Sequence, residues 1–167
     1  MAVSGQYIAV CGKANKISLL DRDLNLIKNI YTKTQPTGLA FSQDGRYLLS
    51  GHVGFPPNNN IYDLKKGFEI ISTFDQQHAL TQAVTFLDDN TAVTAGGENY
   101  EIYFWNIHTG RVVGVINGMG RKVWSVGICN NMVGFGYSPM TYTNEKTSLE
   151  QCFDLNQFVI KKIKNDS

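Results

Sequence analysis

Three histidines, three cysteines and two short acidic clusters are the residues of this chain best equipped for chemistry. A nucleophile needs an activating base within hydrogen-bond reach. His52, His78 and His108 are dispersed along the sequence, and no GxSxG motif surrounds a serine. Cys11, Cys129 and Cys152 form an odd, widely spaced set that matches neither a disulfide framework nor a CxxC metal site. In strand-like surroundings they read as small buried hydrophobes. Asp21-Arg22-Asp23 and Asp88-Asp89-Asn90 lack the spacing of a calcium loop and read as hairpin turns. Gly118-Met119-Gly120-Arg121-Lys122 is rich in glycine and cations, but an apolar strand-like run follows it. No helix N-terminus is therefore expected there to hold phosphate. The expectation is a protein without catalytic residues, metal or cofactor, and not an enzyme.

The elements around these residues are short and β-like. From Ala83 to Gly114 the sequence reads as four runs rich in Val, Thr, Ile and aromatics, separated by Asp88-Asp89-Asn90, by 96–100 and by His108-Thr109-Gly110. Such residues fit a pleated, half-buried surface, and the separators tolerate tight-turn backbone angles. No stretch sustains the apolar spacing of an amphipathic helix. Charge is balanced, with 15 basic and 14 acidic residues, which gives no argument for nucleic acid or an anionic membrane. No apolar run approaches the roughly 18 residues of a membrane span. Met1 to Gly5 carries no basic start or apolar core of a signal peptide, so a cytoplasmic setting is the default expectation.

The four-run pattern recurs. Asp21, Asp63, Asn106 and Asp154 end the third run of successive units, at steps of roughly 42, 43 and 48 residues. Phe41, Phe86 and Ile128 form a second column with steps of about 45 and 42. The period predicts an all-β propeller of four-stranded antiparallel meander blades. The units are 7–37, 38–82, 83–123 and 124–163, the first lacking its first strand. Phe41, Phe86, Phe104, Trp105 and Phe153 fall at strand positions and are expected between blades. Closed propellers have about four to eight blades. The chain is therefore expected to be half or a fragment of a larger ring, or a half-ring that associates with itself.

Phe41-Ser42-Gln43-Asp44-Gly45-Arg46-Tyr47-Leu48-Leu49-Ser50-Gly51 resembles the WD-repeat family. The family's Trp-Asp position reads Leu20-Asp21, Tyr62-Asp63, Trp105-Asn106 and Phe153-Asp154. The family's Gly-His before the first strand has no counterpart, since Gly51-His52 follows a second strand and His78 lacks its glycine. The side-chain network that the family builds from His, Ser or Thr, Asp and Trp is accordingly expected to be broken in most blades. Val123 to Gly127 and Gly134 to Tyr137 are similar to a divergent bacterial style of WD repeat. Such repeats sometimes accompany a caspase-like protease, which implies a sensor or regulatory propeller as one alternative.

In a meander blade the second-to-third-strand loop and the loop to the next blade emerge on one side. The irregular segments 31–37, 52–59, 75–82, 96–100, 117–122 and 137–148 all belong to that side. Irregular loops on a rigid repeat scaffold are where binding usually resides. Phe55, His78, Tyr100, Arg121, Lys122, Tyr137, Met140 and Tyr142 are the candidate contacts for a protein or peptide partner. The functional expectation is a protein–protein interaction or scaffold module. The structural alternative is a half-propeller whose role is assembly, two copies closing one ring.

Overall fold

A computed structural model of the chain describes residues 1–96, 101–117, 122–130, 132–138 and 149–154. Four antiparallel sheets follow one another along the chain. Blade 1 comprises β1 (Ala2–Val3), β2 (Ile8–Cys11), β3 (Lys16–Leu20) and β4 (Leu26–Tyr31). Blade 2 comprises β5 (Pro36–Phe41), β6 (Tyr47–His52), β7 (Asn59–Asp63) and β8 (Glu69–Phe74). Blade 3 comprises β9 (Thr81–Asp88), β10 (Thr91–Gly96), β11 (Glu101–Asn106) and β12 (Val112–Asn117). Blade 4 shows β13 (Lys122–Cys129), β14 (Met132–Ser138) and β15 (Leu149–Asp154) among the described residues. The fourth strand expected at 158–163 lies outside them.

The first unit is not short of a strand. Ala2 pairs with Ala9 and Val3 with Ile8, so β1 supplies the innermost strand. Ser4 makes the reversal: its Oγ accepts from the Tyr7 N–H at 2.9 Å, and its own N–H donates to the Tyr7 carbonyl at 2.8 Å. A strand of two residues is too short to show periodicity, which is why pattern alone leaves it out.

The hairpins between first and second strands, and between third and fourth, are tight, as their turn residues require. Ser42 Oγ donates to Asp44 Oδ1 at 2.6 Å and accepts from the Tyr47 N–H at 2.9 Å. Gly45 supplies the left-handed φ of +70° that completes this turn. Asp63 caps the 3-10 turn Leu64–Lys66 by accepting from the Lys65 N–H at 3.0 Å. Asn106 does similar work in blade 3, where its Oδ1 accepts from the N–H groups of His108 and Thr109, each at 3.0 Å.

The core lies between blades, in three layers. Each blade has a leading face turned to the preceding blade and a trailing face turned to the next. Ile17, Leu19 and Ile30 on the trailing face of blade 1 meet Leu39, Leu48 and Tyr62 on the leading face of blade 2. Leu49, Ile61 and Phe74 then meet Phe86, Ala92 and Trp105. Val93, Ile102 and Phe104 meet Val123 and Val133. The aromatics Phe86, Phe104 and Trp105 are thus inter-blade core, with Phe41 packed at the edge of the first layer. Fully burying one such large apolar side chain is worth about 1.5–3 kcal/mol.

Close approach of backbone to backbone sets one glycine. Gly96 ends β10 at φ +144°, and a Cβ there would sit 2.5 Å from the Leu80 carbonyl oxygen and 2.6 Å from the Gln82 nitrogen. Both obstacles are backbone and cannot swing away. Gly96→Ala is expected to cost roughly 1–3 kcal/mol. A urea midpoint unchanged from wild type would refute that reading of the β9–β10 contact.

Candidate functional site: the irregular loop face

On the loop face of blade 2, the segment between β6 and β7 is anchored at its base and apolar at its tip. Its first residue, Val53, donates its N–H to the Gln35 carbonyl at 3.0 Å. The His52 N–H donates to Asn59 Oδ1 at 3.2 Å, tying the two strand ends together. Pro57 is buried, while Phe55 is 76% exposed and Val53 is exposed beside it. The loop therefore presents an aromatic ring to solvent from a fixed base.

Beneath that loop runs a buried polar chain. His52 Nδ1 lies 3.2 Å from the Thr34 carbonyl oxygen, and its Nε2 lies 2.7 Å from Ser50 Oγ. A carbonyl only accepts, so Nδ1 carries the proton and Nε2 accepts from the Ser50 hydroxyl. Burial pushes the nearby Tyr62 phenol above its ordinary pKa. The chain therefore runs from Ser50 through His52 to Thr34, in the loop that arrives from blade 1. Burial holds the His52 pKa below the ordinary imidazole value, so the ring is neutral at pH 7.

Blade 2 therefore builds its His–Ser contact from a histidine at a different place from the family's Gly-His. His52 reaches Ser50 from the same strand, two residues on, and Tyr62 stands in the aromatic position. In blade 3 the corresponding Thr94 Oγ1 and Trp105 Nε1 are buried without a partner among the described residues. Gly51-His52 stands at the wrong end of a strand for the family's Gly-His; the alternation that puts residues 50 and 52 on one face of a strand could have found its role.

The opposite, tight-hairpin face is held by charge and aromatic contacts. Arg46 Nη2 lies 2.8 Å from Asp63 Oδ2, and the Asp63 side chain is 1% exposed. The Arg46 hydrogen bond is the main cause that lowers the Asp63 pKa. Tyr47 meets the His108 ring edge-on, and His108 Nε2 lies 3.2 Å from Asn90 Oδ1. His108 thus joins blades 2 and 3.

The other sequence candidates divide as follows. His78 is exposed in the loop from blade 2 to blade 3, on the same face as Phe55. Lys122 and Tyr137 do not belong to loops: β13 and β14 extend past the expected strand ends, Lys122 pairing with Ser138 and Val123 with Tyr137. Tyr100, Arg121, Met140 and Tyr142 lie outside the described residues. Cys129, expected buried, is exposed at the end of β13, because strand alternation puts it on the face opposite Ile128, which packs against blade 3. Cys11 is half-buried, which raises its pKa. Among the described residues no three His, Cys, Asp or Glu side chains are placed to hold a metal ion, and no helix is long and apolar enough to cross a membrane.

Comparison with known proteins places this architecture. No family model matches the chain. Over 141 residues it is 26% identical to echinoderm microtubule-associated protein-like 2 of Rattus norvegicus, covering 80% of this chain and 21% of that protein. A chain in the crystal structure of the mitotic checkpoint complex superposes with a TM-score of 0.70 at 22% identity, over 81% of this chain. The structure of U3-55K superposes with a TM-score of 0.69 at 15% identity, over 78% of this chain. The architecture is that of a β-propeller segment, and these likenesses support the resemblance to WD-repeat proteins. The chain spans 45% and 42% of those two solved chains, so the propeller segment seen here is about half their length.

Proposed function

We propose that this propeller segment is a protein-interaction module and that its partner, a protein or peptide, binds the irregular loop face. The observation that carries the reading is the β6–β7 loop. Phe55 is a large apolar side chain exposed on a segment whose two ends are hydrogen-bonded in place. A preorganised aromatic loses little entropy on binding, and such side chains serve as interface anchors. The exposed His78 on the same face adds a polar contact at the rim.

A photo-crosslinking residue placed at position 55 in the protein expressed in its own cells tests this. The same probe at Arg111, in the tight hairpin of blade 3, is the control. A discrete adduct from position 55 and none from 111 is expected, and Phe55→Ala is expected to weaken capture of that partner at least tenfold. Adducts from position 111 alone would move the site to the tight-hairpin face.

A further inference from the structure

We propose that the partner of the loop face is an acidic peptide segment that carries a large apolar residue. Its carboxylates pair with Lys13, Lys16 and Lys33, and its apolar side chain packs on Phe55. The inference rests on the loop-face reading above and adds the chemistry of the partner to it.

Charge is segregated between the two faces of blades 1 and 2. Asp21, Asp23, Asp44, Asp63 and Glu69 all stand at the tight-hairpin end. Turn chemistry draws carboxylates there. Asp21 Oδ1 accepts from the N–H groups of Asp23 and Asn25 at 2.9 and 2.8 Å, and Asp44 Oδ1 accepts from that of Arg46 at 2.9 Å. Arg22, Arg46, Lys65 and Lys66 balance them on the same side. At the loop end stand Lys13, in the loop from β2 to β3, Lys16, which opens β3, and Lys33, in the loop from β4 to β5. Against them these two blades set only Asp75, in the loop that leads to blade 3.

The three lysines are exposed, and among the described residues none of their ammonium groups has an ion pair or a hydrogen bond. Lys28 shows the contrast. Its Nζ donates to the Gly67 carbonyl at 3.1 Å and lies 5.0 Å from the centre of the Phe68 ring, so that cation is committed to holding blade 1 against blade 2.

Hydrogen bonds join the free cations to the aromatic anchor. The Thr32 N–H donates to the Asn15 carbonyl at 3.0 Å, and Lys16 pairs with Tyr31 across the β3–β4 ladder. Segments 13–16 and 31–33 are thereby held together. The next residues hold the β6–β7 loop: the Gln35 carbonyl accepts from the Val53 N–H, and the Thr34 carbonyl accepts from the His52 ring. Tyr31, 79% exposed, adds a second aromatic ring next to Lys16. Cations fixed on one rigid face attract carboxylates and reject basic partners, while a fixed aromatic anchors an apolar side chain. An anionic lipid surface is the poorer fit, since such surfaces are read by clusters of about 4–8 cations.

Random peptides displayed on phage and selected on the full chain test the inference. Enriched sequences are expected to be rich in Asp and Glu around a Leu or an aromatic residue. A fluorescein-labelled peptide of the enriched sequence then serves as the probe. Lys13→Glu, Lys16→Glu and Lys33→Glu combined are expected to weaken its binding at least about tenfold, with unchanged circular dichroism. Lys65→Glu with Lys66→Glu, on the tight-hairpin face, is expected to leave it unchanged. Raising the salt from about 0.05 M to about 0.3 M is expected to weaken binding to the wild type several-fold and to the triple variant little. Enrichment of neutral or basic sequences overturns the inference, as does a selection that enriches none. If Phe55→Ala weakens the probe and the triple variant does not, the acidic partner is refuted while the loop-face reading stands; if neither does, both fail. Weakening by the triple variant alone overturns the anchor on Phe55. Sedimentation with phosphatidylserine vesicles, without peptide enrichment, would assign the face to a lipid surface and likewise overturn the inference.

Discussion

Replacing Trp105 with alanine is expected to lower the unfolding free energy by about 3–5 kcal/mol, the cost of emptying a large aromatic site in a packed core. Trp105 is fully buried on the leading face of blade 3. It stacks on Phe74 of blade 2 at 5.0 Å between centroids and 13° between planes. Phe74 also leans on Tyr103 at 5.3 Å, so removing the indole loosens both rings that it orders. Urea unfolding followed by circular dichroism measures the loss, and the melting temperature is expected to fall on the order of 10 °C. Trp105→Phe refines the test. It keeps an aromatic against Phe74 and removes the indole N–H, which is buried without a partner among the described residues. An unsatisfied donor contributes nothing when kept, so Trp105→Phe is expected to cost less than about half as much as Trp105→Ala. Equal losses would mean that the indole N–H is hydrogen-bonded in the folded protein.

His52→Ala is the second large loss, expected at about 2–3 kcal/mol. It removes a ring that is 1% exposed and leaves the buried Ser50 hydroxyl without its acceptor. The same ring gives the fold a pH dependence with a definite sign. In the unfolded chain His52 titrates near pH 6.5; in the folded protein burial holds its pKa lower. Between those two values the unfolded state binds a proton that the folded state refuses. Stability is therefore present above about pH 6.5 and falls as the pH drops below it. Asp63 and Asp44, whose folded pKa values are also lowered, act in the same direction but only below about pH 4. Urea midpoints measured from pH 7.5 to 5 isolate the histidine. The wild type is expected to lose stability across that window, and His52→Ala to show a flatter profile. Parallel profiles for the two proteins would show that His52 is not the group responsible.

Both losses fall on residues whose importance the sequence reveals unequally. Trp105 sits at a repeat position, before Asn106, where an aromatic recurs as Tyr62 and Phe153. Its place in an inter-blade core is legible from the period. His52 follows a glycine at the wrong end of a strand for the familiar pattern. Its role emerges only when the loop before β5 folds over β6 and brings the Thr34 carbonyl to Nδ1. The tight turns were equally readable: Asp44-Gly45 and Thr109-Gly110 state their geometry in residue type, because positive φ is cheap only for glycine and a few polar residues.

The loop face divides differently. Phe55 and His78 are exposed on one side, as strand alternation and loop parity imply. Lys122 and Tyr137 looked like loop residues because glycines flank them, but cross-strand pairing draws both into the sheet. Cys129 looked like core because it ends an apolar run, and it is exposed because strand alternation turns it away from the layer that Ile128 shares with blade 3.

By itself the sequence determined the strands, their turns and the repeat that makes them blades, since these follow from side-chain alternation and local backbone preference. The tertiary structure alone decided that Ala2–Val3 completes blade 1 and that His52 closes a polar chain under the loop face. Each of those depends on which segments meet in space, and the energy of such a meeting is written in neither partner alone.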